Sequence, residues 1–379
     1  MRGSVEHVVR QSPPVNTTLP YDDSTIRGKT ILITGGASGF GEGFARRWAA
    51  AGAHIIIADI NDTKGAEVVA SIRTETGNNE IHYVHCDVTD WQSQVDLFHK
   101  AVALSPTKGI DSVIVNAGIT DKAPMFWQPT GLDAPTPPKP NFACIDVNMI
   151  GALYTTHLAL FYLPRNPNSK AAGPDREPVA GVPDRHILLL GSVASLAPIT
   201  FLPLYGTSKH ALLGLFRSLR TSSFIDGIRV NMLCPYFIDT PLINFPGRVI
   251  LAGTALGKPD DVVDAATRLV ADTRIAGRAL VVGPKVKLDN EGNLLEVGAK
   301  EGIECASWEC YADDLVKVGE SMKWYDVMGR KFANLMLIDA WTHRFVGVLN
   351  AIEHVNGWVG WGKDMLLAIA YPFKSLLKK

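Results

Sequence analysis

The sequence is short of cysteine, of net charge and of long apolar runs, and each shortage excludes a class of protein. Its five cysteines are scattered, odd in number and never form a CxxC pair, so we expect neither a zinc site nor thiol redox chemistry. The same pattern fits a protein of a reducing compartment. A formal net charge of −1 argues against nucleic acid as a partner. Nowhere do 18 apolar residues run together, and Met1 to Pro20 lacks the apolar core of a signal peptide, so neither a spanning helix nor secretion is expected.

The chain is organised around the stretch from Lys29 to Gly41, KTILITGGASGFG. An apolar, β-branched run ends there in a glycine cluster and leads into a helix-compatible segment, which is typical of a phosphate-binding turn. Gly35 allows the tight turn, Gly39 lets a pyrophosphate approach the backbone, and Gly41 lets the helix pack on the strand. The same pattern also fits a plain strand-to-helix loop, so its interpretation depends on the residues downstream.

A second apolar strand ends in an acidic residue, Asp59, which lies 18 residues beyond Gly41. This is near the spacing at which a carboxylate accepts hydrogen bonds from an adenosine ribose. The carboxylate would repel a 2′-phosphate, and neither Ala37 nor Ser38 is basic, so NAD is favoured over NADP. The alternative is that Asp59 only caps a helix starting near Thr63.

Seven apolar strands alternate with helix-compatible segments, which is typical of a doubly wound, parallel α/β sheet. In such a sheet ligands bind beyond the carboxyl ends of the strands. The residues that come after the third to sixth strands at this edge are Asp87, Val88, Asn116, Ala117, Gly118, Ser192 and Pro235.

Tyr205 and Lys209 stand four residues apart in a helix-compatible run, so they share one helix face. A free tyrosine, with a pKa near 10, carries protons poorly at neutral pH, and a neighbouring ammonium group would lower that pKa. Ser192, at the end of a strand, can hydrogen-bond a substrate oxygen. The Tyr–Lys pair alone decides little, but the glycine turn, Asp59 and Ser192 give it a context.

Together these features resemble the short-chain dehydrogenase/reductase family. The matching segments are TGGASGFG (Thr34 to Gly41), Asp59, Asp87, NAG (Asn116 to Gly118), Asn148, Ser192 and YGTSK (Tyr205 to Lys209). The resemblance implies a Rossmann-type sheet and hydride transfer between a nicotinamide and an alcohol or carbonyl. It also implies that Tyr205 is the general acid/base and that Ser192 orients the substrate oxygen. Lys209 would lower the tyrosine pKa and bind the nicotinamide ribose, and Asn148 would hold a water in the proton relay.

The resemblance further implies a set of cofactor-binding residues. Asp87 and Val88 would face the adenine, and Asn116 would line the ribose–nicotinamide side. The full set is Gly35, Ser38, Gly39, Phe40, Gly41, Asp59, Asp87, Val88, Asn116, Ala117, Gly118, Tyr205, Lys209, Pro235, Ile238 and Thr240.

One position departs from the family pattern. The family usually has glycine after the proline at the end of the sixth strand, whereas here Pro235 is followed by Tyr236. Ile238 and Thr240 still stand where the family binds the carboxamide and the pyrophosphate, but Tyr236 could narrow that approach. The connecting segments are similar to fungal enzymes near the 15-hydroxyprostaglandin and hydroxyaverantin dehydrogenases, which oxidise secondary alcohols on bulky lipophilic substrates.

These observations predict three regions: a flexible arm over residues 1–27, an NAD(P)-binding domain with the catalytic site over 28–283, and a mostly helical extension over 284–379. Three interpretations of the extension stay open. It could pack on the core or on a partner subunit, cover an apolar substrate pocket as a lid, or bind a membrane surface through residues 357–379, which carry tryptophan and lysine.

The sequence therefore predicts NAD-dependent oxidation of a secondary alcohol on a bulky apolar molecule, with secondary metabolism as the expected setting. Phe126, Trp127 and Phe201 either line the substrate pocket or fill the core. The alternatives are an NADPH-dependent ketoreductase of a biosynthetic pathway and a non-catalytic dinucleotide-binding scaffold. We expect a cytoplasmic homodimer or homotetramer without metal or nucleic acid, and peripheral membrane contact through 357–379 stays open.

Overall fold

A computed structural model of the protein describes residues 9–122, 126, 133, 135–171, 173–199, 202–240, 255–289, 295 and 301–311. The chain divides into two compact units, residues 1–318 and residues 319–379. The described residues all belong to the first unit, and the second unit lies outside them.

The first unit alternates strands with helices in the predicted order. The strands are β1 (Thr30–Thr34), β2 (His54–Asp59), β3 (Ile81–His85), β4 (Ser112–Val115), β5 (His186–Leu190), β6 (Arg229–Pro235), β7 (Ala279–Leu288) and β8 (Ile303–Cys310). The helices are α1 (Gly39–Ala50), α2 (Asp62–Thr76), α3 (Trp91–Leu104), α4, α5 (Pro203–Leu219) and α6 (Pro259–Ala271). Helix α4 is composite, because a π-type turn (Asp146–Gly151) joins Ala143–Ile145 to Ala152–Tyr162. Short 3-10 turns span Ser24–Ile26, Leu163–Arg165, Val193–Ser195 and Ser223–Asp226.

The described strands form one eight-stranded sheet in the order β3-β2-β1-β4-β5-β6-β7-β8. Strands β1 to β7 run parallel, and the order reverses between β1 and β4, as in a doubly wound sheet. The α/β, Rossmann-type prediction is therefore confirmed. The strand number differs, since seven were expected.

The eighth strand comes from the segment expected to be mostly helical. Strand β8 pairs antiparallel with β7, from Ala279 opposite Cys310 to Leu288 opposite Ile303. The apolar alternation in β8 changes phase after Cys305, and the ladder is irregular between Val282 and Val286. A strand whose alternation slips by one residue lacks the period-two signal on which sequence prediction depends.

Two apolar layers bury the sheet on both faces. Ile31 and Ile33 of β1 face the layer formed by α1, α2 and α6, where Phe44 stacks on Trp48 with ring centroids 5.1 Å apart. Leu32 faces the other layer, formed by α3, α4 and α5. Such two-sided burial explains why the strands read as continuous apolar runs instead of alternating ones.

The described part of the expected arm, residues 9–27, is packed against the sheet domain. Ser12 donates from its backbone N–H to the Ala276 carbonyl (3.0 Å), and the Thr17 hydroxyl donates to the Ser307 carbonyl (2.6 Å). Arg268 of α6 donates to the Thr17 carbonyl (3.1 Å). The expectation of a flexible arm is therefore corrected for these residues, because their polar groups are bound by α6, by the turn before β7 and by β8.

Two further sequence expectations concern membranes and cysteines. Residues 143–165, which comprise α4 and the turn after it, are long and apolar enough to cross a membrane. Their mean hydropathy is 1.2, and 44% of an apolar 18-residue window within them is buried in the protein. Because α4 packs against α3 and α5, we interpret it as a core helix. All five cysteines lie among the described residues, and each is a free thiol. The membrane-surface prediction for residues 357–379 lies outside the described residues.

Candidate active site

The predicted site residues meet at the carboxyl edge of the sheet. The glycine turn comes directly after β1, Asp59 ends β2, and the remaining predicted residues lie at or just beyond the ends of β3 to β6 or on helices α4 and α5. Parallel strands end at the same edge, which is why positions far apart in sequence converge here.

The glycine turn has the geometry that a bound anion requires. A Cβ on Gly41 would lie 2.2 Å from the Gly35 carbonyl oxygen, so a side chain there would push α1 away from the turn. Gly39 has φ +55°, and nothing lies within 4 Å of the position of its missing Cβ, so the backbone is open to an approaching group. Ser38 precedes α1 and makes no side-chain capping bond to it, which leaves N–H groups of the first turn for an anion.

Asp59 fixes the glycine turn to the end of β2. Its Oδ2 accepts a hydrogen bond from the Ala37 N–H (3.0 Å), and its Oδ1 accepts one from the Asn61 N–H (3.1 Å). The N-cap of α2 is Asn61, which accepts from the Lys64 N–H (3.0 Å), so capping α2 is not the task of Asp59. A carboxylate at this place meets any group that lies over the first turn of α1.

Val88 and Ile60 are apolar residues that follow the ends of β3 and β2. Val88 is buried, its carbonyl accepts from Gln94 Nε2 (2.6 Å), and a Cβ on Gly151 would lie 2.8 Å from its Cγ2. Ile60 directly follows Asp59 and is 61% exposed. Ile60 is not among the residues predicted from sequence, although an isoleucine placed after the acid that ends a strand is a readable signal.

Asn116 links the turn after β4 to the glycine turn after β1, and its amide hydrogens are bound within the protein. Its Nδ2 donates to the carbonyls of Thr34 and Gly35, each at 2.9 Å. The side-chain donors expected to line the ribose–nicotinamide side are therefore committed to the protein. Asp87 is likewise partly committed, since its Oδ1 accepts from the N–H (2.9 Å) and the hydroxyl (2.7 Å) of Thr89.

Tyr205, Lys209 and Ser192 come together as predicted. Lys209 Nζ lies 5.7 Å from the centroid of the Tyr205 ring and donates to the Leu190 carbonyl (2.8 Å). Ser192 begins a 3-10 turn, in which its Oγ accepts from the Ala194 N–H (3.1 Å) and its own N–H donates to Ser195 Oγ (3.2 Å). The serine hydroxyl is thus held at the end of β5, within hydrogen-bonding reach of Tyr205.

The electrostatics differ from the expected lowering of the tyrosine pKa. Burial raises the pKa of the Tyr205 phenol, and the hydrogen bond with Ser192 opposes that effect. Burial also lowers the pKa of the Lys209 ammonium to about 8. In the protein alone the phenol is therefore neutral at pH 7, and an ionised phenolate requires a further positive charge nearby.

Asn148 lies in the π-type turn of α4 and joins three elements. Its Oδ1 accepts from the Ile119 N–H (2.8 Å), and its Nδ2 donates to the Ile119 carbonyl (2.8 Å) and to Ser208 Oγ on α5 (3.2 Å). A Cβ on Gly118 would lie 3.4 Å from Asn148 Oδ1 and 3.7 Å from Lys209 Nζ. The NAG turn, Asn148 and Lys209 therefore surround one small volume, and single π-type turns often occur at functional sites.

Asp121 is a second site residue that lies outside the set predicted from sequence. Its two carboxylate oxygens accept hydrogen bonds from the backbone N–H groups of Leu204 (3.1 Å) and Tyr205 (2.7 Å), at the start of α5. No local pattern could reveal this contact, because more than 80 residues separate Asp121 from the helix that it caps.

The departure after Pro235 places a partly exposed tyrosine directly after β6. Tyr236 is 41% exposed, its N–H donates to the Val282 carbonyl (2.7 Å), and its ring packs edge-on against Phe237 (4.8 Å). Ile238 and Thr240 are buried, so both sit deeper than Tyr236.

The three aromatic residues considered for a substrate pocket have different outcomes. Phe126 is 47% exposed and its ring lies 6.1 Å from that of Phe142, which precedes α4, so it does not fill the core. Trp127 and Phe201 lie outside the described residues. Among the described residues no group of histidine, cysteine, aspartate or glutamate could hold a metal ion.

Comparison with known proteins adds independent evidence. A family model described as short chain dehydrogenase matches residues 29–245. The chain is 34% identical to 5′-hydroxyaverantin dehydrogenase of Dothistroma septosporum (71% of this chain, 88% of the relative) and 37% identical to that of Emericella nidulans (73% and 91%). It is 30% identical to an NADP-dependent dehydrogenase of Phoma sp. (73% and 80%). The structure is similar to 3-ketoacyl-(acyl-carrier-protein) reductase of Brucella melitensis complexed with NADH, with a TM-score of 0.54, 26% identity and coverage of 68% of this chain and 98% of that one.

Proposed function

We propose a specific reaction for this chain, which belongs to the short-chain dehydrogenase family and is an NAD(P)-dependent oxidoreductase. In this proposal it oxidises a secondary alcohol on a bulky apolar small molecule, with NAD as hydride acceptor and Tyr205 as general base. The observation that carries this proposal is the convergence of Ser192, Tyr205 and Lys209 beside the NAG turn. Hydroxyl, phenol and ammonium groups in this arrangement can move one proton to or from a substrate oxygen.

The proposed roles rest on the contacts of each group. The Ser192 hydroxyl hydrogen-bonds the substrate oxygen, and the Tyr205 phenolate takes the proton of the substrate hydroxyl as the carbon–hydrogen bond breaks. When bound, the oxidised nicotinamide supplies a positive charge and accepts the hydride. Lys209 places a buried ammonium group 5.7 Å from the centroid of the phenol ring, where it would hydrogen-bond the ribose of a bound cofactor and favour the phenolate.

We propose that Asn148 holds a water at the inner end of the proton path. Its side chain is already bound to Ile119 and Ser208, so the groups it offers to water belong to the backbone. A π-type turn leaves carbonyl groups without their usual partners, which suits this role.

Asp59 supports NAD as the cofactor. A ribose bound over the first turn of α1 would donate its hydroxyl groups to this carboxylate, whereas a 2′-phosphate would meet like charge. Ala37, Ser38, Ile60 and Asn61 around it provide no positive charge. In this proposal Val88 and Ile60 enclose the adenine, with Asp87 at its edge.

The substrate class rests on two observations. Phe126 and Phe142 form an exposed aromatic pair at the start of the helix that carries Asn148. The Dothistroma and Emericella relatives are named for hydroxyaverantin, and we propose a comparable secondary-metabolic substrate here. We also propose a homodimer or homotetramer in the cytoplasm. If residues 357–379 contact a membrane, removing them should abolish vesicle binding. Co-sedimentation of the full and the truncated chain with vesicles measures this.

An NADPH-dependent ketoreductase is the second candidate, and only its cofactor is favoured by the name of the Phoma relative, an NADP-dependent dehydrogenase. Binding of NAD⁺, NADH, NADP⁺ and NADPH to the purified protein, measured by calorimetry, separates the two. We expect the non-phosphorylated pair to bind tighter, and we expect Asp59→Ala to reduce that preference about tenfold or more. Tighter binding of NADPH by the wild type would overturn the NAD proposal and point to ketone reduction. Binding of none of the four would contradict the dehydrogenase proposal itself.

A non-catalytic scaffold is the third candidate. It differs from the enzyme in one respect, because a scaffold binds the dinucleotide and needs no proton donor. Full biological function in a Tyr205→Phe protein would favour it.

A further inference from the structure

Helix α5, which carries Tyr205 and Lys209, begins without a cap of its own. Pro203 is its first residue and has no N–H, and Leu202 before it has no side-chain acceptor. The next two backbone donors, on Leu204 and Tyr205, would be left without partners by local sequence.

A distant carboxylate supplies what the local sequence lacks. Asp121 Oδ2 accepts from the Leu204 N–H (3.1 Å) and Asp121 Oδ1 accepts from the Tyr205 N–H (2.7 Å). Hydrogen bonds to a charged acceptor are about twice as strong as neutral ones. The backbone of Tyr205 is thus held directly by the shorter of the two bonds.

The loop that carries Asp121 is also fixed at its other end. Two residues earlier, both backbone groups of Ile119 are bound by Asn148, at 2.8 Å each. One short loop therefore connects Asn148 on α4 with Tyr205 on α5, the two ends of the proposed proton path.

We propose that Asp121 is a positioning residue for the proton transfer by Tyr205: it holds the first turn of α5 in register with Asn148, and its charge makes the Tyr205 phenol harder to ionise. The inference rests on the proposed function of Tyr205. It concerns a residue outside the Ser192, Tyr205, Lys209 and Asn148 set.

The groups that face Tyr205 determine how much one more charge matters. The hydrogen bond with the Ser192 hydroxyl favours the phenolate, and Lys209 Nζ lies 5.7 Å from the ring centroid. The thiols of Cys144 on α4 and Cys234 on β6 stay neutral at pH 7. Burial raises the pKa of Cys144 to about 11, and a hydrogen bond with Cys310, together with burial, raises the pKa of Cys234. The positive end of α5 also favours the phenolate, and the Asp121 carboxylate offsets it.

Two substitutions separate the effect of the Asp121 hydrogen bonds on α5 from the effect of its negative charge on Tyr205. Asp121→Asn keeps one acceptor and removes the charge, so the pKa of the Tyr205 phenol should fall by roughly half a unit. Asp121→Ala removes both acceptors, so the first turn of α5 should open more often. We expect amide hydrogen exchange in residues 203–209 to accelerate about tenfold or more.

Three measurements test these expectations on the full chain. Ultraviolet titration of the phenolate, taken as the difference between each protein and its Tyr205→Phe counterpart, gives the Tyr205 pKa without any substrate. Hydrogen exchange followed by mass spectrometry reports on α5. The pH profile of kcat/KM should show the acid limb moving to lower pH in Asp121→Asn by the same amount as the titration.

Asp90 provides the matched control, because it caps α3 by accepting from the Ser93 N–H (2.8 Å), and its other described hydrogen bonds join Asp87 and Gln94. Asp90→Ala and Asp90→Asn should leave exchange in residues 203–209 and the Tyr205 titration unchanged. Unchanged exchange in Asp121→Ala would overturn the holding role, and an unchanged titration in Asp121→Asn would overturn the charge role. Absence of dehydrogenase activity in the wild type would instead contradict the proposed function, while exchange and titration still decide the role of Asp121.

Discussion

Two lysines are buried at opposite edges of the same sheet and are held in opposite ways. At the amino edge Lys29 donates to Asp184 Oδ2 (3.1 Å) and to the Val270 carbonyl (3.1 Å), and Arg229 Nη2 reaches the same carboxylate at 2.8 Å. At the carboxyl edge Lys209 donates to the Leu190 carbonyl (2.8 Å), and no carboxylate among the described residues forms an ion pair with it.

This difference distinguishes a structural ion network around Asp184 from the Lys209 ammonium group, for which we propose a role in the reaction. Burial alone would raise the pKa of Asp184, but Arg229 and Lys29 outweigh it and hold that pKa well below its usual range. Burial lowers the pKa of Lys209 to about 8, with no carboxylate to oppose it. At the amino edge the buried charges thus neutralise one another, whereas at the carboxyl edge the buried Lys209 ammonium has no carboxylate partner among the described residues.

The largest effect we expect is on catalysis and lies entirely at the carboxyl edge. Tyr205→Phe removes the proposed proton acceptor, so kcat should fall by about 10²- to 10⁴-fold. The free energy of unfolding should change by less than about 1 kcal/mol, since only a hydroxyl is lost. Steady-state kinetics and urea unfolding measure the two quantities. Tyr162→Phe, on α4 against Phe98, is the control that should leave kcat unchanged. Wild-type kcat in Tyr205→Phe would contradict the assignment.

The next effect is on stability and lies at the amino edge. Asp184→Ala leaves Lys29 and Arg229 buried without their shared carboxylate, which should lower the free energy of unfolding by about 3–5 kcal/mol. Kinetics of the folded fraction should stay close to wild type. Glu67→Ala, which breaks only the exposed contact with Lys64, serves as the control and should change stability by less than about 0.5 kcal/mol. A loss no larger than that of the control would show that the amino edge is not held by its ions.

The same contrast explains what the sequence could predict. The alternation of strands and helices and the residues at the carboxyl edge were predictable because they depend on local signals. These are glycines after an apolar run, Asp59 at a strand end, and the four-residue spacing of Tyr205 and Lys209. The Lys29–Asp184 pair joins positions 155 residues apart, so no local pattern announces it. The cap on α5 by Asp121 has the same cause.

Other features were missed for reasons of pattern rather than distance. Strand β8 slips in its alternation and so lacks the strand signal, and the segment was predicted to belong to a mostly helical extension. The π-type turn at Asn148 differs from its helix by one hydrogen-bond step and has no residue signature. The raised pKa of Tyr205 depends on burial by surrounding elements, whereas sequence shows only the neighbouring lysine.

A smaller effect, on how the free energy of unfolding depends on pH, compares the two lysines directly. The pKa of Lys209 is about 8 in the folded protein and near 10.5 when unfolded, so the unfolded chain binds more protons between these values. Wild-type stability should therefore rise as pH goes from 8 to 10.5, by at most about 3 kcal/mol. Lys209→Met should be more stable than wild type below pH 8, and the difference should vanish near pH 10.5. Chemical unfolding at several pH values measures this.

Lys29→Met is the counterpart and should behave in the opposite way. It leaves Asp184 with one fewer partner, so it should be less stable than wild type at pH 7. Equal changes in the two methionine variants would remove the distinction between the edges.

The smallest effect tests whether every buried acidic group at the amino edge is neutralised by a basic partner. Glu309 of β8 accepts from the Val15 N–H (3.2 Å) and lies 3.7 Å from Arg278 Nη1, yet burial raises its pKa to about 7, with Arg278 only partly opposing that rise. Because the folded state then holds this proton more tightly than the unfolded chain, stability should fall as pH rises from about 4.5 to 7. Glu309→Gln imitates the protonated form, so it should be more stable than wild type at pH 8 and equal to it near pH 4.5. Thermal unfolding at both pH values measures the difference. A glutamine variant that is less stable at pH 8 would mean that Arg278 neutralises Glu309 as fully as Arg229 and Lys29 neutralise Asp184.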